Sequence, residues 1–246
     1  MSLATEVDLR AAAELGAAEL GPDATAQQVL GWAADAFGSK LIVASNMQDA
    51  VLVDLAAKAV SDARACKQPS GPGVLDVLFL ETGYHFAETI GTRDAVEHVH
   101  DVRIVNASAR RTVAEQDAEF GNDLFARDPG ACCAMRKVEP LQETLAGYDA
   151  WVTGVRRVEA PTRANTPLIQ FDEKFGLVKI NPIAAWGDED MDAYIAEHGI
   201  LVNPLVAEGY PSIGCAPCTA KPAPGADPRS GRWAGTAKIE CGLHPA

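Results

Sequence analysis

Leu41-Ile42-Val43-Ala44 is a continuous apolar run that breaks into the polar turn Ser45-Asn46-Met47-Gln48-Asp49, and Val51, Leu52, Leu55 and Ala59 then repeat at helical spacing. An apolar run without alternation fits a strand buried on both faces, so the segment reads as strand, polar turn, helix. Working outward, Val74 to Leu80 is a second such strand, ending in Glu81-Thr82-Gly83 before a helix through Phe86 and Ile90. Val102 to Val105 and Trp151 to Val155 continue the alternation. Strands alternating with helices imply an α/β fold, a doubly wound and mainly parallel sheet whose ligand sits beyond the carboxyl ends of the strands, where both polar turns lie. The turn after the first strand could offer phosphate its backbone N–H groups and a helix N-terminus, but it lacks the glycines of a P-loop or a dinucleotide fingerprint. The N-terminal residues up to Lys40 carry helical spacing (Leu9, Ala12, Ala13, Leu20; Val29, Leu30, Ala33, Phe37) and read as helices outside the sheet. Gly187-Asp188-Glu189-Asp190 opens a further helix that ends at His198-Gly199.

A chain of 246 residues, 48% apolar, can build one α/β core or two small domains. We read residues 1–220 as a single domain and 221–246 as a mobile C-terminal segment, because Lys221 to Arg232 is rich in Pro, Gly and charge. The formal charge of −13 argues against a nucleic-acid surface and leaves room for one small anion in a local basic pocket. No stretch has the apolar length of a membrane span, and Met1 to Arg10 lacks the basic and apolar regions of a secretory signal, so a cytoplasmic location is expected. The oligomeric state stays open, a homo-oligomer included.

In a reducing compartment the cysteines read as metal ligands or catalytic thiols. They stand as the adjacent pair Cys132-Cys133, the Cys215-Ala216-Pro217-Cys218 turn and the lone Cys241; Cys66 reads as a spare thiol. Neighbouring cysteines rarely close a disulfide on each other, yet both can reach one polynuclear cluster. An iron–sulfur centre is therefore the first reading, with zinc and ordinary buried thiols as alternatives. Cys132 and Cys133 follow Asp128-Pro129-Gly130 at the start of a helical pattern, a position expected to lower a thiol pKa. Arg136 and Lys137 lie one turn on. Arg156, Arg157 and Arg163 follow the fourth strand, and Arg229 and Arg232 precede the tail, all suited to grip phosphate or sulfate oxygens. Lys238 and His244 flank Cys241 and could favour its thiolate.

The double cysteine, Cys-Ala-Pro-Cys and the terminal Glu240-Cys241-Gly242-Leu243-His244, together with Glu81-Thr82-Gly83-Tyr84, Pro161-Thr162-Arg163 and Gly231-Arg232-Trp233, resemble the assimilatory adenylylsulfate (APS) reductases, the cluster-bearing branch of the APS/PAPS reductase family. The resemblance runs over nearly the whole chain from about Lys40. It implies the adenine-nucleotide α-hydrolase-like fold of the ATP pyrophosphatases, with Ser45 to Asp49 in place of their glycine-bearing loop, and so a nucleotide bound without cleavage of its phosphates. It also implies a [4Fe-4S] cluster on Cys132, Cys133, Cys215 and Cys218, with Lys137 linking cluster and substrate. Ser45, Gly83, Arg156, Arg163, Arg229, Arg232 and His244 become the substrate-binding candidates. By the same resemblance Cys241 attacks the sulfur of adenylylsulfate, and thioredoxin releases sulfite from the resulting S-sulfocysteine. The other readings are a PAPS reductase, an ATP pyrophosphatase and a non-catalytic iron–sulfur sensor or electron carrier.

Overall fold

The structure, a computed structural model, describes residues 6–66, 73–234 and 242–243. Two helices come first, α1 (Glu6–Leu20) and α2 (Ala26–Phe37), and α2 starts on a capping box in which Thr25 and Gln28 satisfy each other's backbone N–H. The alternating part follows: β1 (Leu41–Ala44), α3 (Val51–Cys66), β2 (Leu75–Glu81), α4 (Ala87–Val99) and β3 (Val102–Ser108). The return from β3 runs through the short helices α5 (Val113–Phe120), α6 (Leu124–Arg127) and α7 (Pro129–Cys133), a π-helical turn (Ala134–Val138) and α8 (Glu139–Leu145) into β4 (Ala150–Val152). Beyond two short 3₁₀ turns come β5 (Ile169–Asp172), β6 (Leu177–Ile180), α9 (Asp188–His198) and α10 (Pro204–Ala207).

The six strands lie in the order β3-β2-β1-β4-β6-β5, all parallel except the edge strand β5. β1 pairs with β2 on one side and with β4 on the other, so the chain leaves β1 in one direction and later returns on its opposite flank. That reversal opens a crevice at the carboxyl ends of β1 and β4, and the turns after both strands border it. Ile42, Val43, Val77, Phe79, Trp151, Val152 and Ile180 are fully or almost fully buried, as expected of parallel strands covered on both faces.

Some boundaries differ from the sequence reading. The fourth strand stops at Val152 instead of Val155; the Thr153 hydroxyl donates to Asn181 Oδ1, and the chain leaves the sheet toward the 3₁₀ turns Arg157–Glu159 and Pro161–Arg163. The third strand is longer, reaching Ser108 because β3 pairs with β2 along its full length. The β5–β6 hairpin was not assigned from sequence. Its turn closes through Gly176 N–H on the Asp172 carbonyl at 2.8 Å, and Ile169 lies opposite Ile180. Among the described residues no helix is long and apolar enough to cross a membrane.

Candidate active site and its cysteine cavity

Asp128 caps α7: its Oδ1 accepts the N–H of Ala131 at 2.9 Å, and Pro129 occupies the first turn, where no N–H is needed. The cap sets Cys132 and Cys133 in the opening turn of a continuous helical run, and both are buried. The π-helical turn that follows carries Arg136 and Lys137, only 3% and 9% exposed, so neither is the solvated surface charge that a polar helix position usually holds.

Cys215 and Cys218 arrive on a loop, and long-range hydrogen bonds fix that loop. Ala216 N–H donates to the Tyr84 carbonyl at 2.7 Å and Trp233 N–H to the Cys218 carbonyl at 3.0 Å. The Thr219 hydroxyl donates to the Cys215 carbonyl and accepts from Gly214 N–H. The Gln48 side chain, from the nucleotide turn, donates to the Pro211 carbonyl at 3.2 Å and accepts from Ile213 N–H at 3.1 Å. From the other side Arg232 Nη1 donates to Ser212 Oγ and the Ile213 carbonyl, at 3.3 and 3.1 Å. Gly214 makes this approach feasible, since a Cβ there would lie 2.2 Å from Arg232 Nη2.

The four thiols line one small cavity with Tyr84, Phe125, Pro129, Arg136 and Lys137. Thr82 Oγ1 lies 3.3 Å from Cys215 Sγ, and Arg136 stacks on the Tyr84 ring at 5.2 Å while donating to the Arg111 carbonyl. Gln116, fully buried, donates to the Tyr84 hydroxyl at 3.3 Å. The expectation that a helix start would lower the thiol pKa is overturned: burial, reinforced by Cys133, Cys215 and Cys218, pushes Cys132 up to about 11, with Arg136 opposing. Cys218 is also raised, first by burial and then by Cys215, against the pull of Lys137 and Arg232. The macrodipole acts as about half a charge and is outweighed. Among the described residues no set of three or more His, Cys, Asp or Glu side chains is gathered closely enough to hold a single metal ion. The cavity wall presents four soft thiol donors, a set that suits an iron–sulfur centre or zinc.

In the turn Ser45–Asp49 and at the start of α3, four N–H groups are already bonded within the protein. Met47 N–H bonds Ser45 Oγ, Gln48 N–H bonds Asn46 Oδ1, Ala50 N–H bonds the Leu201 carbonyl and Val51 N–H bonds Asp49 Oδ1. A carboxylate thus already occupies the start of α3, where a P-loop would present bare N–H groups. Gly83, at φ +75°, donates its N–H to Glu81 Oε1 at 2.8 Å; a side chain there would be strained and would press on Val113.

Beyond β4, Arg156 Nη1 lies 2.8 Å from Asp188 Oδ1, Arg157 Nε donates to the Thr166 carbonyl and Arg163 pairs with Glu159. Arg229, half-buried, lies in the Asp227–Ser230 turn. The segment expected to begin a mobile tail runs back on the body, with Ala220 N–H on the Gly231 carbonyl and a bridge between Thr219 and Arg232. Lys238, Cys241 and His244 lie outside the described residues. Gly242 and Leu243 are described: Lys174 Nζ donates to the Gly242 carbonyl, Gly242 faces Val138, and Leu243 packs on the core. Val138 directly follows Lys137 in the chain.

The sequence reading missed Thr82, Tyr84 and Gln116 as cavity neighbours, Gln48 as the strap and Glu159 as the arginine partner. All except Glu159 act across long sequence separations that no local pattern reports.

An α/β crevice beside a four-cysteine cavity flanked by buried cations defines a nucleotide-type fold adapted to an anion. Residues 40–221 match the phosphoadenosine phosphosulfate reductase domain, and the chain belongs to that family. Proteins named adenosine 5'-phosphosulfate reductase from Mycolicibacterium smegmatis and Mycobacterium tuberculosis are 67% and 60% identical to it, covering 99% and 98% of this chain and 98% and 96% of theirs. The solved phosphoadenylyl-sulfate (PAPS) reductase from Candida auris superposes with a TM-score of 0.66 at 25% identity, covering 89% of this chain and 99% of that one. The FMN adenylyltransferase of Candida glabrata, at 13% identity and a TM-score of 0.57 over 88% of this chain and 73% of its own, shares the fold.

Proposed function

We infer that this chain reduces adenylylsulfate to sulfite and AMP in sulfate assimilation, with thioredoxin as the electron donor and Cys241 as the nucleophile. The observation that carries this reading is the pair of cations at the four-cysteine cavity: Lys137 is buried in its wall, and Arg232 is bonded to Ser212 and Ile213 on the loop that brings Cys215 and Cys218. They are suited to hold an anionic substrate beside a negatively charged centre. The relatives' name supplies the substrate, and all four cysteines of the cluster-bearing branch are present. A [4Fe-4S] centre on Cys132, Cys133, Cys215 and Cys218 would supply fixed negative charge and structure to the substrate site. Asn46 and Met47 stand where the pyrophosphatase loop has its glycines, which speaks against that activity.

The Cys241 thiolate attacks the sulfur of adenylylsulfate; the S–O bond to the phosphate breaks, its electron pair leaves with AMP, and a Cys241 Sγ–SO₃⁻ adduct forms. A thioredoxin thiolate then attacks Cys241 Sγ, and sulfite departs with the S–S electron pair. The second thioredoxin thiol opens the mixed disulfide, returning Cys241 as thiolate and leaving thioredoxin oxidised by two electrons. Residues 1–220 bind the nucleotide and the cysteine-held centre, and residues 221–246 bring the nucleophile to it. The reaction belongs in the cytoplasm, where thioredoxin stays reduced.

Mass spectrometry tests this. Protein mixed with adenylylsulfate and no thioredoxin should gain one SO₃ on the peptide containing Cys241, and reduced thioredoxin should discharge it as sulfite. Cys241→Ser should form no adduct. An adduct on Cys66, or normal sulfite release by Cys241→Ser, overturns the mechanism. Equal turnover of the 3′-phosphorylated nucleotide would move the reading to a PAPS reductase.

A further inference from the structure

Glu159 sits between the two arginines that the crevice presents. Its Oε2 accepts the backbone N–H of Arg156 at 3.2 Å and also receives Arg163 Nη1, while Oε1 lies 3.7 Å from Arg156 Nε. The carboxylate is 25% exposed and the two guanidinium side chains are 15% and 11% exposed, so all three are held in a partly desolvated corner. Arg156 is pinned at its other end by Asp188. The corner adjoins the nucleotide turn: Asp49, raised by burial, has Arg156 and Glu159 as its charged neighbours.

We propose that Glu159 is a positioning residue for substrate binding, a carboxylate that fixes the guanidinium plane of Arg163, and the backbone turn that carries it, before the phosphosulfate arrives. This rests on the reading of Arg163 as a phosphosulfate contact. The physical case is preorganisation. A guanidinium recognises an oxyanion through a planar fork, and a fork already oriented loses less side-chain freedom on binding than one that searches. Glu159 is close enough to align Arg163, and it fastens both consecutive 3₁₀ turns by also holding Arg156 N–H. Its negative charge would otherwise oppose an incoming anion, so its place here is accounted for by orientation and not by direct contact with substrate.

Steady-state kinetics on four forms decide the matter. Glu159→Gln keeps the shape and an acceptor for Arg156 N–H but removes the charge that holds Arg163; it should raise KM for adenylylsulfate about 5- to 10-fold with kcat within about 2-fold. Glu159→Asp should be intermediate. Arg163→Ala should raise KM further, and Glu159→Gln/Arg163→Ala should match Arg163→Ala within about 2-fold, because a residue acting through another adds nothing once that other is gone. A wild-type or lowered KM in Glu159→Gln, or effects that multiply in the double variant, overturns the proposal. A lowered melting temperature with unchanged KM does so too, since it makes the role merely structural. Wild-type protein that releases sulfite while Glu159→Gln is unaffected sinks this inference alone, whereas wild-type protein that releases none sinks the functional reading and this inference together.

Discussion

The two arms that bring cysteines to the cavity are built in opposite ways. Cys132 and Cys133 ride on a helical run whose cap, Asp128, and proline, Pro129, lie just before them, so local sequence suffices to set them in place. Cys215 and Cys218 ride on a loop held by Gln48, Tyr84, Arg232 and Trp233, all remote in sequence except the last two, which return from the chain beyond the loop. The lesson is that one arm should tolerate loss of a single local bond while the other depends on a network. The Gln48 and Arg232 bonds of that network also join the loop to the nucleotide turn and to a candidate anion ligand.

The largest effect should come from the thiols themselves. Cys132→Ser and Cys215→Ser, one on each arm, should both lose the brown chromophore, the iron and the activity together, measured by iron assay and absorbance on protein kept from oxygen. Stoichiometric zinc with no iron in active wild-type protein would show the cavity to be a zinc site.

Gly214→Ala comes next. Its Cβ would meet the Arg232 guanidinium at 2.2 Å and push it off Ser212 and the Ile213 carbonyl, so stability should fall by about 1–2 kcal/mol while KM for adenylylsulfate rises at least about 10-fold. A large fall in melting temperature with wild-type KM would show that Arg232 braces the loop and does not meet substrate.

Gln48→Ala removes two hydrogen bonds to backbone in the loop arm and should cost about 1–2 kcal/mol in thermal or denaturant unfolding, with faster loss of iron to a chelator. An unchanged rate of iron loss would mean that Arg232 and Trp233 hold the loop unaided.

Asp128→Ala should do least. Losing an N-cap costs about 1 kcal/mol, and with the rest of the helical run intact the iron content should stay at the wild-type level. Iron lost as readily as in Gln48→Ala would erase the contrast between the arms.

Much of the sheet was legible because parallel strands buried on both faces are written as largely apolar runs, as in Leu41–Ala44 and Val77-Leu78-Phe79-Leu80. The β5–β6 hairpin was less so. It alternates weakly around Asp172 to Gly176, and its pairing pattern shows only once an edge is available on β4. The adjacent cysteines, the Cys-x-x-Cys turn and the arginines after β4 could likewise be read as ligands and anion contacts from residue type and spacing. Their state could not. The sequence position of Cys132 suggested a thiol with a lowered pKa, whereas burial and three neighbouring thiols reverse the sign.

By itself, the sequence determined the strand–helix alternation, the cysteine groups, the supply of cations and the family resemblance, all carried by residues close together in the chain or by residue type alone. Only the tertiary structure decided that Lys137 and Arg136 are buried, that Thr82 meets Cys215 and that Gln48 straps the nucleotide turn to the cysteine loop. Those outcomes depend on which groups are driven together when the core closes and water is excluded, and a hydrogen bond spanning more than a hundred residues leaves no mark on local periodicity.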